Sequence, residues 1–168
     1  KRTKDFCNAL GECVTAITWR APQGIMGGNV LQSLGVEFHS TETQIAAIPS
    51  VADTRALVAE YCACNVDLII LAGGDGTAAA IAEVIATVNP HQLVLGIPAG
   101  VKIQSGVFAI NPTAAGQLLA ALVRGDLLNT EIAQVRDLDE LALQQGQVKS
   151  RYMGTLRVPF DGHFVQSV

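Results

Sequence analysis

The sequence is short of charge, of aromatic side chains and of long apolar runs. Charged residues make up 15% of its 168 positions and aromatic residues 5%. The 11 basic residues are scattered and the net charge is -4, so no basic surface suited to a nucleic-acid backbone is predicted. Asp67 and Asp75 interrupt the longest apolar stretch, residues 66–81, which is shorter than the roughly 18 residues that a membrane span needs. We therefore expect neither nucleic acid nor a membrane as a partner.

Cysteine is also sparse, with four residues in the chain. Their spacing, including Cys62-Ala-Cys64, matches neither a zinc site nor a Cys-x-x-Cys redox pair, so reduced thiols are expected. The chain begins at Lys1 with no signal peptide, so we expect a cytoplasmic protein and a piece of a longer chain. Apolar residues are plentiful at 49%, enough for a buried core.

Strand-like and helix-like segments alternate between residues 14 and 125. Buried strands are predicted at residues 14–19, 68–72 and 93–97, because these segments are apolar or β-branched throughout. Helices are predicted between them, with a cap at Ser50–Asp53 and another at Asn111-Pro112. This order predicts an α/β fold, an open parallel Rossmann-like sheet flanked by helices, with the three strands in one sheet.

The texture changes after Gly125, where polar and β-prone residues mix without a helical stripe. We therefore predict an α/β nucleotide-binding domain over residues 1–127, with its first strand missing. Residues 128–168 are expected to begin a β-rich second domain that is incomplete, with a hairpin at Gln145-Gly146.

A glycine-rich turn, Gly73-Gly74-Asp75-Gly76-Thr77, follows the central strand and precedes a helix predicted at about residues 77–87. It lacks the lysine of a Walker A loop and breaks the spacing of the dinucleotide fingerprint. Glycines there let backbone N–H groups approach a phosphate closely. The central carboxylate then has two chemical roles open to it, holding Mg²⁺ or accepting the proton of an attacking hydroxyl. A third interpretation is a helix cap without chemistry.

The turn resembles the motif shared by NAD kinases and diacylglycerol-type lipid kinases. The segments "APQGIMGG", "ADTRALV", "VDLIILAGGDGT", "LGIPAGVKIQSGVFAINPTAAG" and "VRDLDE" together resemble the ATP-NAD kinase-like family, which includes the acetoin-catabolism protein X. The resemblance implies a nucleotide site between an α/β domain and a β-rich domain. It also implies that Asp75 acts on the 2′-hydroxyl of the NAD adenosine ribose, while the glycines and Thr77 face phosphate.

A second loop, residues 98–102, matches the lipid-kinase Pro-x-Gly-Thr-x-Asn loop only in part. Its Gly100 is retained, and Lys102 lies next to the place of the missing threonine. Lys102 is therefore a candidate phosphate contact, and Ser105 is a weaker one. The glutamate that lipid kinases carry after the glycine turn is replaced by Ala80, and no Asn-Pro-x-x-Gly loop precedes residue 14.

The expected function is an ATP-dependent kinase that phosphorylates a hydroxyl of NAD or of a related metabolite. Its expected cofactors are ATP, or polyphosphate, and Mg²⁺, and a homo-oligomer is expected. A non-catalytic nucleotide-binding protein and a lipid kinase remain alternatives. The sequence offers no exposed apolar or basic stretch for a lipid surface, which argues against the latter.

Some further candidates are weaker. Asp53-Thr54 is a candidate for a place near the site, although capping of the following helix explains this pair equally well. Residues 24–28, "GIMGG", are a candidate second ligand loop. The acidic cluster Asp137, Asp139 and Glu140 could bind Mg²⁺ or a basic partner, but we interpret it as a solvated turn between strands. On the catalytic hypothesis, Asp75→Asn is expected to abolish most turnover while leaving folding stability nearly unchanged.

Overall fold

The computed structural model describes residues 1–100, 103–127, 129–138 and 150–161. Helices and strands alternate along most of this length. The helices are α1 (Arg2–Leu10), α2 (Gly28–Ser33), α3 (Val51–Ala63), α4 (Asp75–Val88) and α5 (Pro112–Arg124), and a short 3₁₀ helix covers Gly11–Ala16. The strands are β1 (Trp19–Ala21), β2 (Phe38–Ser40), β3 (Leu68–Gly73), β4 (Leu93–Pro98), β5 (Thr130–Leu138) and β6 (Ser150–Pro159).

The main sheet has four strands in the order β3-β4-β6-β5. β3 and β4 run parallel in register from Leu68↔Leu93 to Gly73↔Pro98, which confirms the predicted pairing of the two most apolar strands. β6 is parallel to β4, and β5 is antiparallel to β6. The α/β class with a parallel sheet and a β-rich continuation is therefore confirmed.

Apolar side chains cover both faces of the main sheet. Successive residues of β4 alternate between them: Val94 packs in one core with α3 and α4, and Leu95 packs in the other with α1 and α5. This two-sided burial explains why the parallel strands are apolar throughout rather than alternating with polar residues. β5 and β6 contribute side chains to the same core as α4. The domain boundary at residue 127 stays a prediction.

The predicted strand at residues 14–19 is wrong for most of its length. Residues up to Ala16 form the 3₁₀ helix, and β1 begins at Trp19 and pairs in parallel with β2 in a separate two-stranded sheet. Side-chain hydrogen bonds favour the tight turn, from the Thr15 hydroxyl to the Glu12 carbonyl and from the Trp19 indole N–H to the Val14 carbonyl. The β-branched residues are at least partly exposed here, so no packed sheet surface rewards an extended backbone.

The predicted helix caps are confirmed. The Ser50 side chain accepts the Asp53 N–H while the Asp53 carboxylate accepts the Ser50 N–H, which completes a capping box at α3. The Asn111 side chain accepts the Ala114 N–H at the start of α5, and Gly125 ends that helix with a φ of 77°. These caps fix where α3 and α5 begin and where α5 ends.

Candidate nucleotide site

The glycine turn occupies the carboxyl end of β3, where α4 begins. α4 starts at Asp75, two residues earlier than predicted, with Gly74 as its N-cap and no side chain capping it. The N–H groups of Thr77 and Ala78 both bond to the Gly74 carbonyl. The earlier N–H groups of the first turn have no partner within a helix, and this end carries the positive pole of the helix dipole. The turn is therefore shaped to bind an anion.

Gly73 is required by close packing. A Cβ placed on it would lie 2.7 Å from the Thr77 hydroxyl oxygen and 2.9 Å from the Thr77 Cβ. Thr77 therefore covers the end of β3, and the strand passes directly into the helix because Gly73 has no side chain.

The second loop lies against the first, because the two loops follow adjacent parallel strands. The Ala99 N–H donates to the Gly73 carbonyl at 2.8 Å, and a Cβ on Gly100 would lie 3.3 Å from the Gly74 Cα. Backbone thus faces backbone at the carboxyl ends of β3 and β4, which is where open α/β sheets bind ligands. Lys102, the candidate phosphate contact, lies outside the described residues.

Asp75 is held by the segment that follows the second loop. Its Oδ2 accepts the Gln104 N–H at 2.8 Å, and its Oδ1 accepts the Ser105 N–H at 3.0 Å. Two amides on separate oxygens fix the orientation of the carboxylate beside the first turn of α4. Each oxygen keeps a lone pair for another donor. Orientation of this kind serves a base, a metal ligand and a purely structural clamp alike.

Ser105 is completely buried, and its hydroxyl is engaged by β5. Its Oγ donates to the Arg136 carbonyl at 2.9 Å and accepts the Arg136 N–H at 3.0 Å. The hydroxyl therefore braces the segment that holds Asp75, and the phosphate contact expected of this side chain stays a prediction. Asp75, Ser105 and Arg136 form one continuous hydrogen-bonded path from α4 to β5.

Asp137, which the sequence analysis interpreted as part of a solvated turn, lies next to the glycine turn in the structure. It follows Arg136 on β5, and its Oδ2 lies 3.9 Å from where a Cβ on Gly76 would be. It lines an open groove of about 590 Å³ between α4 and β6. Alternation along β5, with Ala133 and Val135 buried, is the signal that could have found it. Asp139 and Glu140 lie outside the described residues.

A second, smaller pocket of about 420 Å³ lies between α3 and the glycine turn. Met26, from the predicted second ligand loop, and Thr54 line it together with Thr77 of the glycine turn. A ligand role for residues 24–28 stays a prediction, but the fold does place that loop beside the turn.

The described residues contain no group of three or more His, Cys, Asp or Glu side chains that could hold a metal ion. In that part of the chain, no helix is long and apolar enough to cross a membrane.

A mostly parallel open sheet with a glycine turn at a strand end, followed by a helix without a side-chain cap, is the arrangement of α/β proteins that bind ligands at the carboxyl ends of their strands. The model of the ATP-NAD kinase N-terminal domain matches residues 1–127, and the chain belongs to that family. The match ends just after α5 and includes both loops of the site. Comparisons with curated proteins and with solved structures give no match.

Proposed function

We propose that this protein transfers a phosphoryl group from ATP to a hydroxyl of NAD or of a related small metabolite. The observation that carries the proposal is the pairing of an uncapped helix N-terminus with an oriented carboxylate, Asp75, in its first turn. Membership of the ATP-NAD kinase family supports the same reaction class.

The backbone of the turn and the side chain of Asp75 have different roles in the proposed reaction. The backbone N–H groups of Gly74, Asp75 and Gly76 bind phosphate oxygens, since the turn is open and the helix dipole favours negative charge there. Asp75 accepts the proton of the acceptor hydroxyl on a lone pair that its two amide bonds leave free. Because those amides fix the carboxylate, it needs no reorientation during the reaction.

The site fits the expected cofactors. Gly74 and Gly100 keep side chains out of the space between the two loops, so backbone amides would face a phosphate bound there. Mg²⁺ is commonly held by one or two carboxylates together with substrate phosphates, which suits a site without a three-residue metal cluster among the described residues. ATP, or polyphosphate, supplies the phosphoryl group, and Mg²⁺ offsets part of its charge. Among the described residues, Asp75 is the carboxylate within the turn itself.

A non-catalytic nucleotide-binding protein is the second candidate. The observation that favours it is that both Asp75 oxygens already bond to amides of the neighbouring segment. In that case the carboxylate only clamps α4 to the segment, and the turn binds a nucleotide without turnover.

The test is acceptor-dependent consumption of ATP or polyphosphate by the full-length protein with Mg²⁺. NAD, NADH and small polyols form the acceptor panel, the polyols because of the resemblance to the acetoin-catabolism protein X. We expect one acceptor to stimulate consumption and to gain a phosphate by mass spectrometry. ATP binding without stimulation by any acceptor would favour the non-catalytic candidate.

Free thiols at all four cysteines are consistent with the cytoplasm, where ATP and NAD are available. A homo-oligomer, with no nucleic-acid or membrane partner, remains part of the proposal. Light scattering and sedimentation of the full-length protein check the assembly state.

A further inference from the structure

Asp137 shares a face of β5 with two core side chains, Ala133 and Val135. Ala133 and Val135 are buried in the core shared with α4, and side chains two residues apart point to the same face of a strand. The pairing of β5 with β6 shifts next to Val135: Val135 pairs with Gly154 and Arg136 with Tyr152, so the extra residue is on β6. The alternation along β5 is therefore uninterrupted, and Asp137 points toward α4.

The inward carboxylate meets the first turn of α4 rather than its apolar flank. Its Oδ2 lies 3.9 Å from the Cβ position of Gly76, which is ordinary contact distance. The same carboxylate lines the groove of about 590 Å³, together with Tyr152 and Thr155 of β6. A larger residue in place of Gly76 would extend into the space in front of Asp137.

Among the described residues, none forms a salt bridge with the Asp137 carboxylate, although Arg151 pairs with Asp137 across the two strands and Arg55 lines the same groove. The Asp137 Oδ1 accepts the N–H of Leu138, the next residue. The salt bridges among the described residues are Arg55–Glu83 and Arg124–Asp126, and neither includes Asp137. Asp75, by comparison, has an amide donor on each oxygen. Asp137 is thus a carboxylate that lines the groove and is bonded, among the described residues, by the Leu138 N–H alone.

A negative charge beside a phosphate-binding turn is unfavourable unless it has its own donors. Sugar or polyol hydroxyls are suitable donors, because an ionised carboxylate forms strong, charge-assisted bonds with O–H groups. We propose that Asp137 binds the acceptor by accepting a hydrogen bond from one of its hydroxyls, and that the acceptor carries neighbouring hydroxyls, as a ribose or a polyol does. This inference rests on the proposed function and adds the residue that selects the acceptor.

The test compares Asp137→Asn with Glu131→Gln in the full-length protein. Both changes remove one negative charge from β5, but Glu131 is exposed and lies away from the turn. Acceptor affinity is measured at equilibrium by calorimetry with NAD, adenosine and a small polyol, and ATP affinity is measured separately. Thermal unfolding of each variant is recorded as well.

We expect Asp137→Asn to weaken acceptor binding about 10- to 100-fold, as for loss of a hydrogen bond to a charged group. ATP affinity and the unfolding midpoint should match those of Glu131→Gln, because the Leu138 N–H retains an oxygen acceptor. Unchanged acceptor affinity in Asp137→Asn would overturn the inference, as would failure of the wild type to bind any of the three ligands. Acceptor binding without phosphoryl transfer would refute the proposed function alone, and the affinity comparison would still decide the role of Asp137.

Discussion

Asp75→Asn distinguishes a catalytic role of the Asp75 carboxylate from a purely structural one, provided that the change in folding stability is measured alongside turnover. The carboxylate receives one amide N–H on each oxygen, from Gln104 and Ser105. An asparagine offers one oxygen and one NH₂ group, so one of the two amides faces a donor. The expectation of nearly unchanged stability, drawn from the sequence, therefore does not hold for this geometry.

The magnitude follows from the partly buried amide that loses its acceptor. An unsatisfied polar group of this kind costs about 1–3 kcal/mol. For a domain of this size, that cost lowers the thermal midpoint by roughly 2–12 °C. If Asp75 is also the base, turnover per folded molecule falls a further ~10²- to 10⁴-fold. ATP affinity should survive, because the backbone N–H groups of the turn remain.

Ser105→Ala is the matched control. It leaves the Asp75 carboxylate intact but removes the hydroxyl that bonds the Arg136 N–H and carbonyl, and so loosens the same segment. Turnover of both variants is compared well below both unfolding midpoints, with active protein counted by ATP binding. A far larger loss of turnover in Asp75→Asn supports the base. Equal losses in the two variants would identify Asp75 as a clamp, and an unchanged midpoint in Asp75→Asn would refute the two-amide geometry.

Two further predictions concern packing and pH. Gly73→Ala should destabilise the fold by about 1–3 kcal/mol in denaturant titrations, since its Cβ would lie 2.9 Å from the Thr77 Cβ. Gly76→Ala should be neutral or stabilising, because the nearest atom to its Cβ would be 3.9 Å away. Equal losses of stability in the two variants would contradict the packing argument. Burial raises the pKa of Tyr61 to about 12. The unfolded chain releases this proton near pH 10, so stability should be full below about pH 10 and decline by up to about 3 kcal/mol as pH rises through about 12. Tyr61→Phe should remove that decline, whereas Tyr152→Phe, a change at an exposed tyrosine, should not; unfolding at alkaline pH measures both. The same decline in both variants would refute the assignment to Tyr61.

Local patterns were sufficient for the elements that depend on local or continuous features. The uninterrupted apolar runs of β3 and β4 correctly predicted their parallel pairing, because a strand buried on both faces has no polar side. The caps at Ser50 and Asn111 were readable because a capping side chain bonds to its own next turn. Residues 14–16 were mispredicted because β-branched composition indicates a strand only where a packed sheet surface is present.

The glycine turn was recognisable from its letters, since only glycine permits the close approach at Gly73. The sequence alone could not settle what holds Asp75 in place. The donors to its carboxylate are the backbone amides of residues 104 and 105. Nearly every residue has such an amide, so the amino-acid sequence does not show which amides bond to Asp75. Asp137 looked like part of a solvated acidic turn because its contact with Gly76 exists only once β5 packs across α4. The sequence therefore determined β3, β4, the caps and the turn, whereas tertiary packing decided which carboxylates face the turn, because those contacts join residues far apart in the chain.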